Sequence, residues 1–152
     1  MRRKEKEITE RAEIDQIINK SEVCRLAFAK DNIPYIVPVS YGYDGKKLYI
    51  HTATEGRKIE FIEANNPVCF EFDSDVQLIT HETVACKWST SYKSVIGYGK
   101  IHEITNEQKM IDALNQIMLH YSNKKWPFTN KMLKTVKVWE IIIEKISGKQ
   151  AD

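Results

Sequence analysis

The sequence predicts an α+β fold, mainly β, in which a small antiparallel barrel or curved sheet is flanked by helices. Apolar and polar residues alternate with a period of two along several segments, which is typical of strands with one buried face. The turn pair Asp44-Gly45 joins two of these segments as a hairpin, and no repeating strand–helix–strand pattern is present. The pattern therefore favours six or seven mostly antiparallel strands with three helices outside them, and disfavours a parallel doubly wound sheet.

A short amphipathic helix and three strands are predicted for the first third of the chain. Isoleucines recur at helical spacing between Thr9 and Asn19, and Thr9 can cap the helix start. Period-two alternation then predicts three strands, at Val23 to Ala29, Pro34 to Tyr43 and Lys47 to Thr52. Pro38 lies in the middle of the second strand. Because proline has no N–H to donate to a sheet, we expect an interruption, a bulge or a sheet edge there.

Two more helices and three more strands are predicted for the remaining chain. The helices are Glu55 to Asn65 and Thr105 to Tyr121, the second with a capping-box pattern at its start. The predicted strands are Val68 to Asp73, Tyr92 to Ile104 and Val136 to Ile146. We expect poorly patterned extended chain from Asp75 to Trp88, a loop from Asn123 to Asn130, and an end to ordered structure at Gly148.

The length and charge of the chain set broad limits on its function. Its 152 residues predict one domain spanning residues 1–152, large enough for a hydrophobic core without disulfides or structural metal. The 23 basic and 21 acidic residues give a net charge of +2, which excludes a strongly basic nucleic-acid binder. No apolar run is as long as a membrane span, and no apolar segment follows the charged N-terminus. We therefore expect a cytoplasmic protein with no signal peptide and no nucleic-acid or membrane partner.

No catalytic or metal-binding motif of known spacing is present. The chain has no Gly-x-Gly-x-x-Gly, no P-loop, no His-Glu-x-x-His and no Gly-x-Ser-x-Gly. Cys24, Cys69 and Cys86 form no Cys-x-x-Cys pair, and each lies among apolar residues, so we expect three buried structural thiols. The four histidines show no metal-ligand spacing, so no metal site is expected.

Three segments carry residue types that suit a phosphorylated, planar ligand. Ile36 to Tyr43 is a proline-interrupted strand whose unpaired backbone groups can bond a flat polar edge; the alternative is an edge strand with no ligand. His51 to Lys58 runs from a strand end into a helix start, where N–H groups, hydroxyls and a lysine can hold a phosphate; the alternative is a solvated basic turn. Lys87 to Gly99 offers aromatic and hydroxyl side chains; the alternative is an exposed loop with one core tryptophan. Nucleic acid also offers phosphates and stacking, but the charge balance leaves no basic stripe for it.

The last of these segments contains two closely spaced glycines. Gly97 and Gly99 lie two residues apart in a predicted strand, so one face of that strand carries no side chains there. We expect a bend, or the close approach of another group such as a ligand or a second chain.

Several motifs together resemble a known family. They are Val23 to Ala27, Pro34 to Gly42, and Leu48 to Ala53 with Gly56 and Lys58. The segments Asn65 to Glu71, Ser91 to Gly99 and Ile146 to Lys149 extend the match over nearly the whole chain. In order and spacing these motifs resemble the pyridoxamine 5'-phosphate oxidase-like flavin-binding split barrels, and within them most of all the nitroimidazole-resistance (Nim) branch.

The resemblance implies a fold, an assembly and a cofactor. It implies a six-stranded antiparallel split β-barrel that pairs as a homodimer, with flavin mononucleotide (FMN) at the subunit interface. The residues implied to line the isoalloxazine ring through their backbone are Pro38, Val39, Ser40 and Tyr41. Those implied to hold the phosphate and ribityl chain are His51, Thr52 and Lys58. Those implied to come from the other subunit are Trp88, Tyr92, Ser94 and Val95. FAD is possible in place of FMN, and a related branch binds haem.

Three functions are consistent with these observations. The first is a reductase that uses FMN to pass electrons to a small acceptor such as a nitroaromatic, a 5-nitroimidazole in the Nim branch. The second is a flavin-binding, storage or sensor module without turnover. The third is a haem-handling protein with His51 or His120 as an axial ligand. His51 is the one candidate for proton delivery near neutral pH, and the alternative for it is a hydrogen bond to the phosphate or ribityl chain.

Overall fold

A computed structural model describes residues 4–151, and in it an antiparallel sheet of eight strands curls around a hydrophobic core with four α-helices. The predicted fold class is confirmed: the described chain is α+β, and its sheet bends into a barrel that does not close. Six of the described strands have six residues or more and two have only two residues, so the six-stranded expectation matches the long strands.

The strands are β1 Glu7–Ile8, β2 Cys24–Lys30, β3 Ile33–Val39, β4 Gly42–Tyr43, β5 Lys47–Thr52, β6 Pro67–Ile79, β7 Ser89–Ile104 and β8 Lys137–Ala151. The helices are α1 Arg11–Lys20, α2 Arg57–Ala64, α3 Glu107–Ser122 and α4 Asn130–Leu133. Two single 3₁₀ turns lie at Lys4–Lys6 and Ala85–Lys87. No helix in the described chain has the length and apolar character needed to cross a membrane.

The sheet order explains why the barrel is split. Neighbouring strands follow the order β3-β2-β6-β7-β8-β5-β4, with β1 added beside β8. The strands β3 and β4 therefore lie at opposite ends of the sheet, although only Ser40 and Tyr41 separate them in the chain. These two residues cross the gap between the ends, and we call this crossing the seam.

Pro38 lies on a sheet edge, as one of the sequence alternatives predicted. It is within β3 and lies opposite Arg25 of β2, and β3 has no second partner among the described strands. Edge strands tolerate proline, because an N–H on the open side of such a strand has no ladder partner to lose. The interruption of the strand comes at the seam, two residues after Pro38.

Two apolar clusters fill the space inside the sheet and under α3. The larger cluster contains fully buried side chains from most strands, among them Leu26, Leu48, Ile50, Phe70 and Phe72. The smaller cluster joins α3 and α4 to the sheet and includes Leu114, Ile117, Leu133 and Val138. Each such side chain contributes roughly 1.5–3 kcal/mol when fully buried.

Several element boundaries differ from the sequence prediction. Helix α3 begins at Glu107 because the Asn106 side chain accepts a hydrogen bond from the Lys109 N–H at 3.0 Å, so Asn106 is the cap and Thr105 is not. Strand β6 continues to Ile79, and β8 continues through Gly148, so the prediction that order ends at Gly148 is wrong. That glycine is needed inside the sheet: a Cβ there would lie 2.8 Å from the Ile8 Cβ.

The two strand glycines make room for the protein's own core. A Cβ on Gly97 would lie 2.1 Å from the Phe70 ring, and a Cβ on Gly99 would lie 2.3 Å from the Ile142 carbonyl oxygen. The pairing of β7 with β8 shifts register between Tyr98 and Gly99. The expected close approach is therefore that of a core side chain and of a bulged neighbouring strand.

Strands β6 and β7 extend past the rest of the sheet. The last described pairing of β7 with β8 is at Tyr92, while β6 and β7 stay paired as far as Ile79 and Ser89. This two-stranded segment, residues 75–91, is called the ribbon below. Its exposed apolar side chains include Val76, Leu78 and Trp88, which are 55%, 67% and 51% exposed.

Candidate functional site

The seam is held by a buried tyrosine and by the end of helix α3. The Tyr41 side chain is fully buried, and its single hydroxyl proton is shared between the carbonyl oxygens of Ile18 and Ser21, the latter at 2.7 Å. The Tyr41 N–H donates to the Tyr121 hydroxyl at 3.2 Å, and that hydroxyl donates to the Glu22 carbonyl at 2.8 Å. The seam backbone is thus fixed in place from both sides.

His120 belongs to the same support. Its Nε2 lies 2.9 Å from the Ser21 carbonyl oxygen, and its ring packs against the Tyr41 ring with centroids 4.4 Å apart. This ring nitrogen is therefore engaged with the backbone.

The four residues implied to line a flavin ring have alternating exposure. Pro38 and Ser40 are exposed, whereas the side chains of Val39 and Tyr41 are buried in the core. Val39 and Tyr41 can therefore meet a ligand at the seam only through their backbone, which is the kind of contact the resemblance implies.

The turn between β5 and α2 brings two basic side chains together. Gly56 precedes α2 with φ of 122°, a conformation that favours glycine, and Lys58 lies in the first turn of the helix. Burial lowers the pKa of the half-buried Lys58 amine. Burial, and then the positive charge of Lys58, lowers the pKa of the His51 imidazole below its ordinary value. Neither side chain makes a hydrogen bond or an ion pair with any residue from 4 to 151.

Two unpaired bases beside a helix N-terminus favour an anion. The N–H groups of the first helical turn point outward, and the helix dipole adds positive potential. A bound anion would relieve the repulsion that lowers the His51 pKa, because an opposite charge favours the protonated form of a base. This arrangement can hold a phosphate without any rearrangement of acidic partners.

Two further polar residues at this turn, Thr52 and Arg57, are already engaged. The Thr52 hydroxyl donates to the Ala53 carbonyl at 2.8 Å and accepts from the Trp139 Nε1 at 2.9 Å, so it has no proton left to donate to a phosphate. The Arg57 guanidinium lies over the Tyr35 ring, 5.2 Å from its centroid, in a cation–π contact. Of these four side chains, His51 and Lys58 are the ones that remain available.

The residues implied to reach a partner subunit fall into two groups. Trp88 is half exposed on the ribbon, with its Nε1 donating to the His81 carbonyl at 2.7 Å, and Tyr92 and Ser94 are half-buried on β7. The side chain of Val95 is fully buried in the core of its own chain. Because β7 turns this position inward, Val95 can meet a ligand of another subunit only through its backbone.

The three thiols differ in exposure. Cys24 is buried in the core, Cys69 is half-buried, and Cys86 is exposed in the 3₁₀ turn after the ribbon's first strand. The prediction of three buried cysteines is right for Cys24 and wrong for Cys86. No group of metal-ligating side chains occurs within residues 4–151.

One feature was not predicted from the sequence. A cavity of about 330 Å³ lies between β5, α3 and α4, and its wall includes His51, Leu114, Met118 and Phe128. The apolar stripe of α3 indicated only a buried helix face, so nothing in the local pattern showed that part of this face lines a cavity.

Comparisons with known proteins agree with this architecture. The sequence profile of the family described as pyridoxamine 5'-phosphate oxidase matches residues 10–150. The structure of a candidate 5-nitroimidazole antibiotic resistance protein from Bacteroides thetaiotaomicron is 30% identical, with a TM-score of 0.85 over 95% of this chain and 86% of that one. The structure of a FAD-binding protein from Mesorhizobium loti is 26% identical, with a TM-score of 0.67 over 93% of this chain and 94% of that one.

A curated relative from Rhizobium meliloti, an uncharacterized protein, is 29% identical over 104 residues, which is 66% of this chain. The match covers 59% of that relative's length, so this chain corresponds to less than two thirds of it.

Proposed function

Because the chain belongs to the pyridoxamine 5'-phosphate oxidase family and resembles its nitroimidazole-resistance branch, we propose that it binds FMN and passes electrons to a small acceptor. The acceptor we propose is a nitroaromatic such as a 5-nitroimidazole. The flavin ring would lie at the seam, and its phosphate would lie at the turn between β5 and α2.

One observation carries the proposal: His51 and Lys58 form an unpaired basic pair at a helix start. Structural lysines on protein surfaces usually face solvent or an acidic partner, whereas Lys58 is half-buried with neither hydrogen bond nor ion pair among the described residues. Protonating His51 beside Lys58 costs free energy in the empty protein, and an anion bound next to both would offset that cost. A flavin phosphate is the anion that the family resemblance implies.

The seam provides a rigid backbone for the ring. Flavin, when bound, supplies the electron transfer, and the protein supplies orientation and access. Pro38 has no N–H, and Ser40 is exposed, so this strand edge can face a flat ligand without losing ladder hydrogen bonds. The Tyr41 N–H is taken by Tyr121, which keeps the backbone of the seam from rotating.

His51 has a defined role in this arrangement. Because its pKa is lowered, the imidazole of the empty protein is neutral at pH 7, and an adjacent anion raises that pKa. It can then donate a hydrogen bond to the phosphate or ribityl chain, or deliver a proton to a reduced acceptor. The haem alternative gains no support from His120, since its Nε2 already contacts the Ser21 carbonyl.

We also propose that the protein works as a homodimer in which each ribbon reaches the partner's flavin. A two-stranded ribbon is marginally stable alone in water. The exposed Leu78 and Trp88 on it are side chains that a second chain would cover. Tyr92 and Ser94, half-buried where the ribbon joins the sheet, are the remaining candidates for contacts across such an interface.

An absorption titration tests the proposal. The purified protein is mixed with FMN, FAD, riboflavin or haemin in turn, desalted, and scanned for flavin or Soret bands. We expect stoichiometric FMN, with riboflavin much weaker. Retention of haemin with no flavin uptake would overturn the proposal.

Turnover separates the enzyme from a flavin-binding module. The FMN-loaded protein is reduced anaerobically with nicotinamide nucleotides or dithionite and then mixed with a 5-nitroimidazole, and reoxidation of the flavin is followed. Reoxidation by the nitro compound supports the reductase. If the flavin stays reduced, the result contradicts the reductase and favours a flavin-binding module without turnover.

A further inference from the structure

The cavity between β5, α3 and α4 has an apolar wall. Its volume is about 330 Å³, and apart from His51 and Thr135 its lining side chains are apolar: Leu114, Ile117, Met118, Phe128, Met132 and Val136. Ligand pockets for small molecules begin at roughly 300 Å³, so a compound with one or two fused rings fits this size.

The chain segment that forms most of the cavity wall carries no negative charge. Between Asp112 and Glu140 there is no aspartate or glutamate, and this stretch of residues 113–139 contains five lysines. Every lining residue except His51 lies within it. Lys137 pairs with Glu63 and Glu103, and the other four lysines make no ion pair with any described residue: Lys124, Lys125, Lys131 and Lys134.

Two of these lysines are adjacent to the cavity. Lys131 precedes Met132 and Lys134 precedes Thr135, so each lysine Cα is about 3.8 Å from that of a lining residue. Both side chains are exposed. His51 also lines the cavity, and burial together with the positive charge of Lys58 lowers the pKa of its imidazole. Positive charge without an acidic partner among the described residues therefore lies within one residue of the cavity wall, although no lysine is itself a lining residue.

We propose that this cavity binds a small organic anion whose apolar ring fills the interior while its carboxylate or sulfonate stays at the solvent side, within reach of Lys131 and Lys134. An apolar wall favours burial of a ring, and the cost of burying a charge keeps the anionic group near water and the lysines. This site goes beyond the proposed flavin site and shares only His51 with it, because the other lining residues come from α3 and from residues 128–136, and none of them is a seam residue.

The test compares two probes of the same shape. Binding of 2-naphthoate and of neutral 2-naphthalenemethanol to the full chain, with and without FMN, is measured by isothermal titration calorimetry. We expect naphthoate to bind at least tenfold more tightly. Lys131→Gln combined with Lys134→Gln should weaken naphthoate about three- to tenfold and leave the alcohol unchanged. The matched control is Lys46→Gln combined with Lys145→Gln, two exposed lysines without ion pairs, and it should change neither.

Filling the cavity gives the second arm. Met118→Trp and, separately, Val136→Phe should each reduce naphthoate binding at least tenfold, with circular dichroism showing that the variant used is folded. Equal affinity for the two probes, naphthoate binding unchanged in a folded filled variant, or simple competition between naphthoate and FMN would overturn the proposal. Naphthoate binding in a protein that takes up no flavin supports this site and counts only against the flavin function.

Discussion

Lys58 is the residue whose environment most directly predicts a phenotype. It is half-buried, its pKa is lowered by burial, and among the described residues no acid compensates it. Thr52 and Arg57 lie in the same turn, but their polar groups bond Trp139 and stack on Tyr35. The sequence therefore predicted the place of the basic turn. Which of its polar side chains stay available for a ligand depends on contacts with residues distant in sequence, and no local pattern shows these contacts.

Replacing Lys58 with alanine should weaken FMN and leave riboflavin nearly unchanged. A charge-assisted hydrogen bond contributes roughly 1.5–3 kcal/mol, which corresponds to about a ten- to hundredfold loss of FMN affinity. Flavin fluorescence quenching measures both ligands. Lys46→Ala, in the exposed hairpin turn, is the control and should change neither. Equal losses for FMN and riboflavin would remove Lys58 from the phosphate site.

The His51 imidazole should titrate below its ordinary pKa of 6.5 in the flavin-free protein. Lys58→Gln should raise that pKa part of the way back, since burial is the larger cause and remains. The unfolded chain takes up this proton first, so His51 lowers stability as the pH falls below 6.5. Proton NMR of the ring, assigned with His51→Gln, gives the pKa, and the melting temperature of His51→Gln should fall less between pH 7.5 and 5.5. An imidazole pKa above 6.5 would contradict the geometry.

The thiols should separate by reactivity in the native protein. An exposed thiol reaches a reagent without opening of the fold, whereas a buried one reacts only when the core opens. Burial raises the pKa of the Cys24 thiol, which slows it further. We expect Cys86 to label rapidly with a maleimide and Cys24 to label only after denaturation, as read by peptide mass spectrometry. Rapid native labelling of Cys24 would show that the core is open.

Element by element, the alternation of apolar residues located every long strand, but the ends were less predictable. Strands β6 and β8 continue past the expected ends because pairing with β7 holds residues whose own pattern is weak. Gly148 was predicted to end order because glycine is usually a turn residue, yet contact with Ile8 requires it inside a strand. Such close packing is a property of the partner element, which the local sequence does not show.

Gly97→Ala should destabilise the protein through overpacking. The added Cβ would lie 2.1 Å from the Phe70 ring, and inserting a methyl into a packed core costs about 1–3 kcal/mol. Urea unfolding gives the free energy of unfolding. The double variant Gly97→Ala with Phe70→Leu should lose less stability than the two single variants lose together, because the smaller side chain accommodates the methyl. Strict additivity would mean that the strand, and not Phe70, excludes a side chain.

At the scale of the whole molecule, the family resemblance predicted a split barrel, which the periodicity of apolar residues alone could not. The local pattern favoured a barrel or a curved sheet, but the order of strands depends on pairings such as β5 with β8, which are distant in sequence. Those pairings leave the ribbon without a third strand and the seam without a closing ladder. Both features are consistent with a molecule completed by a second copy, and that proposal concerns the assembly as a whole.

Trp88→Ala should weaken dimerisation and flavin retention together while leaving the fold intact. The side chain is 51% exposed in a single chain, so its removal costs little there. Sedimentation velocity across a dilution series, with and without FMN, should show flavin favouring the dimer, because linkage is reciprocal. Tyr92→Ala should likewise loosen flavin, with circular dichroism unchanged. A monomer that retains stoichiometric flavin at high dilution would exclude a shared site.

The position of β8 has a consequence for synthesis on the ribosome. Strand β8 is a partner of β1, β5 and β7, yet it is the last described strand in the chain. Strand β5 ends at Thr52 and β8 begins at Lys137, so about 85 residues must be added before β5 can pair with it. At 5–20 residues per second this takes roughly 4–17 s. Throughout that interval the apolar edge of β5 is open to wrong pairing, and a nascent chain of this protein should therefore depend on chaperones more than its modest length suggests.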